Sequence, residues 1–153
     1  MTAAANAFYT LATTKGFSST GIPEAPARTR LAPLLSAKLN QQLADAAAAE
    51  TRFQKKNKQS PPLIEGDIFS SLFEGPTAWK IGACAGNAIA ARCAASLTRQ
   101  DPGQKPVSWI DTVVLVNQNG GWKVDDLAYD ANFAFGNTGT LSEMLAMTKI
   151  EAP

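Results

Sequence analysis

The chain contains no histidine among its 153 residues. Without an imidazole it cannot build a Ser-His-Asp or Cys-His catalytic set, a His-ligated zinc or haem site, or the usual proton switch near neutral pH. It also lacks any run approaching the roughly 20 apolar residues that a membrane-spanning helix needs. Composition therefore restricts the reactions that the chain could catalyse. The sequence shows no repeats and no low-complexity tracts beyond a bias toward alanine, which occurs 27 times.

Charge is scarce and unevenly placed. Charged residues make up 18% of the chain and the formal net charge is +1, which excludes a disordered chain and a protein that coats nucleic acid. Residues 1–60 hold eight basic and three acidic side chains, whereas residues 61–153 hold six and ten. Such a dipolar surface favours association with a charged partner, unless the basic excess simply solvates the end of a helix.

The first third of the chain predicts helices. Helical spacing of apolar residues predicts one helix near residues 2–15, ended by Gly16, and a second near residues 30–56. Pro33 suits the first turn of the second helix, where a missing N–H costs nothing. The segment at 17–29 is rich in serine, glycine and proline and is predicted to be a loop.

After an irregular stretch at 63–75, the apolar period changes to two. Residues 77–130 predict four antiparallel strands joined by hairpins. A capping box at Thr140-Leu141-Ser142-Glu143 then predicts a short helix. Apolar residues form 45% of the chain, enough for one core, so we expect a single domain over 1–153. Its class should be α+β, a curved antiparallel sheet of about four strands packed against N-terminal helices.

The two cysteines, Cys84 and Cys93, leave two alternatives open. A tight turn at Gly86-Asn87 would offset them by roughly four residues, beyond disulfide reach at about 3.3 Å per residue. A bulge, or a wider loop centred near Ala88-Ile89, would bring them opposite each other. Unbonded, they would be two small buried apolar side chains.

Three motifs carry a resemblance to a known superfamily: EGDIFSS at 65–71, WIDTVVL at 109–115 and GWKVDDLAY at 121–129. With the long N-terminal helices, they resemble the cone-shaped nuclear transport factor 2-like superfamily, which includes ketosteroid isomerases and polyketide cyclases. More closely, they are similar to a bacterial envelope family of unknown function with this fold. The resemblance implies a pocket between the concave face of the sheet and the helices.

The resemblance also bears on location. The first residues lack the basic and apolar regions of a secretory signal. The protein is then either cytoplasmic or exported, with its signal removed from the sequence. The resemblance implies the second alternative, a periplasmic protein.

Carboxylates are the remaining candidates for chemistry. Candidates for lining a pocket or for buried structural contacts are Asp67, Trp109, Asp111, Trp122, Asp126 and Tyr129. A buried aspartate could serve as a general base. The favoured interpretation is structural, because Asp111 alternates in phase with Trp109 and Val113 and must find a buried donor such as an indole N–H. We expect no catalytic residue, no metal site and no cofactor.

Four phenylalanines in two glycine-bearing segments are candidates for a partner surface: Phe69, Phe73, Phe133 and Phe135. Phe133 and Phe135 alternate, so in extended chain they would point the same way and form one apolar patch, unless they close the base of the core. We therefore expect a non-catalytic envelope protein-binding module, such as an immunity or inhibitor protein that neutralises a secreted toxin or hydrolase. The alternatives are a small-molecule binding protein that uses the cone pocket and, ranked lower, an Asp-based isomerase or cyclase.

Overall fold

A computed structural model describes residues 1–14, 17 and 20–151. Helices and strands segregate along the chain as the change of period predicts, so the α+β class is confirmed. No helix within this part of the chain has the length and apolarity of a membrane span. The elements are α1 (Thr2–Ala12), α2 (Ala25–Leu31), a 3-10 turn (Ala32–Leu34), α3 (Ala37–Lys56), β1 (Ala78–Gly86), β2 (Ala90–Arg99), β3 (Val107–Gln118), β4 (Gly121–Tyr129), β5 (Gly139–Thr140) and α4 (Leu141–Glu151).

The prediction of one helix near residues 30–56 is wrong in its first turns. α2 ends at Leu31, and Leu35 is extended before α3 begins. Pro33 offers no N–H for a continuing helix, and the Ser36 N–H donates to the carbonyl of Val124 on β4 at 2.8 Å instead. Ser36 then caps α3, its hydroxyl accepting the Leu39 N–H at 3.0 Å.

The loop predicted at 17–29 is also shorter than expected, because α2 begins within it at Ala25. Pro26 lies in the first turn of α2, where its missing N–H leaves no hydrogen bond unmade. The first helix, α1, ends at Ala12, and the predicted stop at Gly16 lies outside the described residues.

The sheet has the order β1-β2-β3-β4-β5 with antiparallel neighbours. Its first four strands are those that the period of two predicts. The fifth strand, β5, is two residues long and pairs with the end of β4, so it is too short to carry a periodic signal. α4 follows β5 directly, and the capping box forms: the Glu143 N–H donates to the Thr140 hydroxyl, and the Thr140 N–H to the Glu143 carboxylate.

The core lies between the helices and one face of the sheet. Buried side chains of the sheet include Leu97, Val113, Leu115, Val124 and Leu127, and those of the helices include Phe8, Tyr9, Leu39 and Leu43. The same alternation leaves residues such as Ile110 on the opposite, exposed face. The interior is therefore filled by packed side chains.

Cys84 and Cys93 face each other across β1 and β2 and form a disulfide. Gly86 pairs with Ala91, so the connection is the wider loop centred at Ala88-Ile89, and the register shifts between Ile81 and Cys84. The tight turn at Gly86-Asn87, which would have kept the sulfurs apart, does not form.

Leu115 tests this core. Its side chain is 0% exposed, so Leu115→Ala should lower the free energy of unfolding by about 2–5 kcal/mol through lost burial and a cavity. Ile110→Ala on the same strand is the control, because Ile110 is 55% exposed and should cost under about 1 kcal/mol. Chemical denaturation of both variants measures the difference, and equal losses would contradict the described packing.

Candidate functional site: a buried carboxylate network under an aromatic groove

Asp111 is the centre of a buried hydrogen-bond network. It lies on the core face of β3, and its side chain is 1% exposed. One carboxylate oxygen accepts the Ser71 N–H at 2.7 Å and the Trp109 indole N–H at 3.0 Å. The other accepts the Ser71 hydroxyl and the Asp130 N–H at 3.1 Å. These four donors satisfy the carboxylate and join β3 to two loops.

Ser71 extends the network. Its hydroxyl accepts the Ala131 N–H at 3.2 Å, and its carbonyl accepts the Asn137 N–H at 2.9 Å. The Asn137 side-chain amide donates to the carbonyls of Asp67 and Ser70, both at 2.7 Å. The loop at 67–73 and the loop at 130–137 are therefore bound to each other as well as to β3.

Asp67 is the second buried carboxylate, 5% exposed. Its oxygens accept the Ser70 hydroxyl at 2.9 Å and the Phe69 N–H at 3.3 Å. Burial raises the pKa of Asp67 to about 7, with the charge of Asp111 adding to the rise, while the bonds from Ser70 and Phe69 oppose it. Asp67 is thus poised to change protonation near neutral pH.

Two tyrosines border these carboxylates. The Tyr129 hydroxyl donates to the Ile68 carbonyl at 2.6 Å, whereas the buried Tyr9 hydroxyl has no hydrogen-bond partner among the described residues. Burial raises the pKa of both far above the ordinary value, and the charges of Asp67 and Asp111 raise each of them further. Both phenols therefore stay protonated at any physiological pH.

Two of the predicted polar residues lie elsewhere. Asp126 accepts the Leu127 N–H at 2.8 Å and the Ser142 N–H at 2.9 Å, so it helps to cap α4. Trp122 is half-buried against the core at the hairpin end of β4, seven residues before Tyr129. Trp122 therefore lies at the opposite end of β4 from Tyr129.

The four phenylalanines divide between core and surface. Phe69 is buried and packs edge-on against Phe8, with ring centroids 5.3 Å apart. Phe133 is half-buried and packs edge-on against Trp109 at 5.6 Å. Phe73 is 41% exposed and Phe135 is 91% exposed.

The expectation that Phe133 and Phe135 alternate along extended chain is wrong. Residues 133–136 form a turn in which the Gly136 N–H donates to the Phe133 carbonyl at 3.2 Å. The turn sends Phe133 toward Trp109 and Phe135 into solvent. A Cβ on Gly136 would lie 2.5 Å from the Ser71 carbonyl oxygen, so the turn passes too close to the neighbouring loop for any other residue.

Residues 72–74 and 133–136 together form what we call the aromatic end. They line a groove of about 720 Å³, whose only charged lining residue among those described is Glu74. The network fixes both walls, because the Asp67 N–H donates to the Phe73 carbonyl at 2.8 Å and Asn137 follows the turn directly. The groove is therefore preorganised.

Sequence reasoning missed Ser71 and Asn137 as members of the network. The Ser70-Ser71 pair beside Asp67 was a usable signal, since a buried carboxylate needs nearby donors. Asn137 gave no comparable signal, because its role depends on a loop contact about 70 residues away in sequence.

No family model, curated protein or solved structure matches the chain. Within the described residues, no group of three or more Cys, Asp or Glu side chains is arranged to hold a metal ion. Function is therefore argued from the geometry of the network and the groove.

Asp67 predicts a pH dependence of stability. Its pKa is about 7 in the folded state and 3.8 as the ordinary value, so between these pH values the folded state holds a proton that the unfolded state has lost. Its contribution to the free energy of unfolding is fully present below pH about 4 and is lost as the pH rises to about 7. Asp67→Asn should flatten this decline in thermal unfolding between pH 4 and 7. Asp125→Asn, which removes a partly exposed carboxylate, should retain the decline. Identical pH profiles for wild type and Asp67→Asn would contradict the assignment.

The conservative substitution Asp111→Asn should destabilise the fold far more than the same substitution at Asp125. Asp111→Asn replaces one acceptor oxygen by a donor amide that faces other donors, so at least two hydrogen bonds to a charged group are lost. We expect a cost of at least about 2 kcal/mol, measured by chemical denaturation. The matched Asp125→Asn variant breaks only an exposed ion pair with Lys38 and should cost under about 1 kcal/mol. A similar small cost for both variants would show that the network carries little stability.

Proposed function

We propose that the chain is a non-catalytic protein-binding module of the bacterial envelope, of the kind that neutralises a secreted toxin or hydrolase. The observation that carries the proposal is Phe135, a large apolar side chain 91% exposed at the tip of a turn that buried hydrogen bonds hold in place. Exposed aromatic side chains on a preorganised surface are typical of binding hot spots. Phe73 across the groove adds a second exposed ring.

The state of the carboxylates favours binding over catalysis. Each oxygen of Asp111 accepts two hydrogen bonds, and the donors belong to Trp109 on β3 and to the loops that the network joins. Asp67 is 5% exposed and likewise accepts at both oxygens. These contacts support a structural role, because an aspartate that removes a proton from a substrate must be within hydrogen-bond reach of it.

The proposal extends to fold family and location. Helices packed on one face of an antiparallel sheet support a cone of the nuclear transport factor 2-like kind. The Cys84–Cys93 disulfide supports export, because disulfides persist in oxidising compartments such as the periplasm and are rare in the cytoplasm.

The second candidate is a small-molecule binding protein. The groove of about 720 Å³ falls in the size range of ligand sites and favours this alternative. The ligand would occupy the aromatic end, because packed side chains fill the space between sheet and helices. An isomerase or cyclase with Asp67 as base ranks third, because the Asp67 side chain is buried away from any bound substrate.

A photo-crosslinking amino acid at position 135 tests the proposal. In an envelope extract of the native host, ultraviolet light should join the chain to a single protein partner. The control position is Ile89, which is 70% exposed. It lies beside Ala90, the partner of Val116, and so at the end of the sheet opposite Trp109.

With the partner purified, Phe135→Ala should weaken affinity about thirtyfold, which corresponds to about 2 kcal/mol. The melting temperature should stay unchanged, because the side chain is exposed in the free protein. Crosslinks from position 89 and none from position 135 would contradict the proposed surface. Retention of a small molecule in the purified protein, lost in Phe135→Ala, would favour the second candidate.

A further inference from the structure

A second hollow adjoins the groove at the aromatic end. It has a volume of about 550 Å³ and shares Phe73 and Glu74 with the groove, so the two depressions are continuous around the Phe73 ring. That ring lies against Gly66, where a Cβ would be 2.5 Å from it. The apolar part of the hollow includes Ile22, Pro62 and Ile64.

The hollow is acidic. Glu50, Glu65 and Glu74 line it, and no Lys or Arg is among its described lining residues. None of these glutamates belongs to an ion pair with a described residue. Glu50 accepts the Leu63 N–H at 2.8 Å and the Gln54 amide at 2.9 Å, and these bonds fix the position of its carboxylate.

Cations neighbour the hollow on two sides. Arg28 lines an adjoining depression together with Glu50 and donates to the Pro23 carbonyl at 2.7 Å. Arg99 lies on the side of Glu74. Its guanidinium donates to the backbone carbonyls of Glu74 and Gly75 at 2.7 and 3.1 Å. The same guanidinium is paired with the Asp101 carboxylate at 2.8 Å, so that its charge is already compensated. The side chains of Glu65 and Glu74 therefore present net negative charge beside an apolar surface.

We propose that the aromatic end and the adjoining hollow together recognise a partner segment in which a Lys or Arg side chain neighbours an apolar one. The basic side chain lies in the hollow with Glu65 and Glu74, and the apolar side chain packs in the groove against Phe73 and Phe135. Charge complementarity selects this occupant, because a Lys or Arg has an apolar stem that suits the walls of the hollow and a cationic head that suits its carboxylates. This inference rests on the proposed function and adds the chemistry of the partner.

The test is selection from a displayed library of random peptides on the immobilised whole chain. Enriched peptides should combine a basic residue with a neighbouring leucine or aromatic residue. For the best synthetic peptide, the double variant Glu65→Gln with Glu74→Gln should associate about tenfold more slowly at low salt, and the difference from wild type should shrink at high salt. Thermal unfolding of each variant checks that the fold is retained.

Asp125→Asn, which removes one negative charge far from the hollow, is the control. Its carboxylate contacts Lys38, which is twelve residues from Glu50 on α3 and so about 18 Å away. It should bind the peptide as wild type does, which would show that removing a negative charge at a distant site does not slow association.

Three results would overturn the inference: acidic or uncharged peptides, no enriched peptide, or equal binding by wild type and the glutamate double variant. If Phe135→Ala abolishes peptide binding while the double variant does not, the proposed binding surface stands and only the partner chemistry is wrong. If neither change affects binding, both proposals fail. A dimer in sedimentation that Phe135→Ala dissociates would instead assign the surface to a second copy of the chain.

Discussion

The Asp111 carboxylate is the interaction on which the aromatic end depends. It is placed on the core side of β3 by strand alternation, where a charge is costly unless several donors surround it. The donors come from Trp109, Ser71 and Asp130, so the requirement to satisfy one buried group fixes the loop before β1 and the loop between β4 and β5 relative to β3. The irregular segment at 67–73 needs this anchor, because it has no strand or helix of its own.

This anchoring links the core to the surface. The same loops carry Phe73 and Phe135. The Asn137 side-chain amide and the Asp67 N–H both donate to backbone carbonyls of the loop at 67–73. Exposed aromatic side chains on backbone that is already ordered lose less conformational entropy on binding than those on mobile loops. The hydrogen bonds of the buried network therefore also fix the walls of the exposed groove.

Much of the scaffold followed from sequence, because strands β1 to β4 and the capped helix α4 are local patterns. Asp111 was placed on the core side by its phase with Trp109 and Val113. The break before α3 was missed, because it depends on the Ser36 N–H pairing with Val124 across the molecule. The turn at 133–136 was missed for a related reason. Alternation describes extended chain, whereas here the Gly136 N–H bonds to the Phe133 carbonyl in a turn and the next N–H, of Asn137, bonds to the Ser71 carbonyl.

The buried network contributes more to the positions of the two loops than to the free energy of unfolding. Burying Asp67 and Asp111 near each other costs free energy, as the raised pKa of Asp67 shows, and well-packed apolar residues of similar volume often stabilise a core at least as well. Apolar replacements, however, would hold the loops by nondirectional contacts, whereas hydrogen bonds with 2.7–3.1 Å separations fix their backbone. The Cys84–Cys93 bond and the packed core stabilise the rest of the sheet without such groups. The costly burial of Asp67 and Asp111 therefore lies beneath the surface that carries the exposed side chains of Phe73 and Phe135.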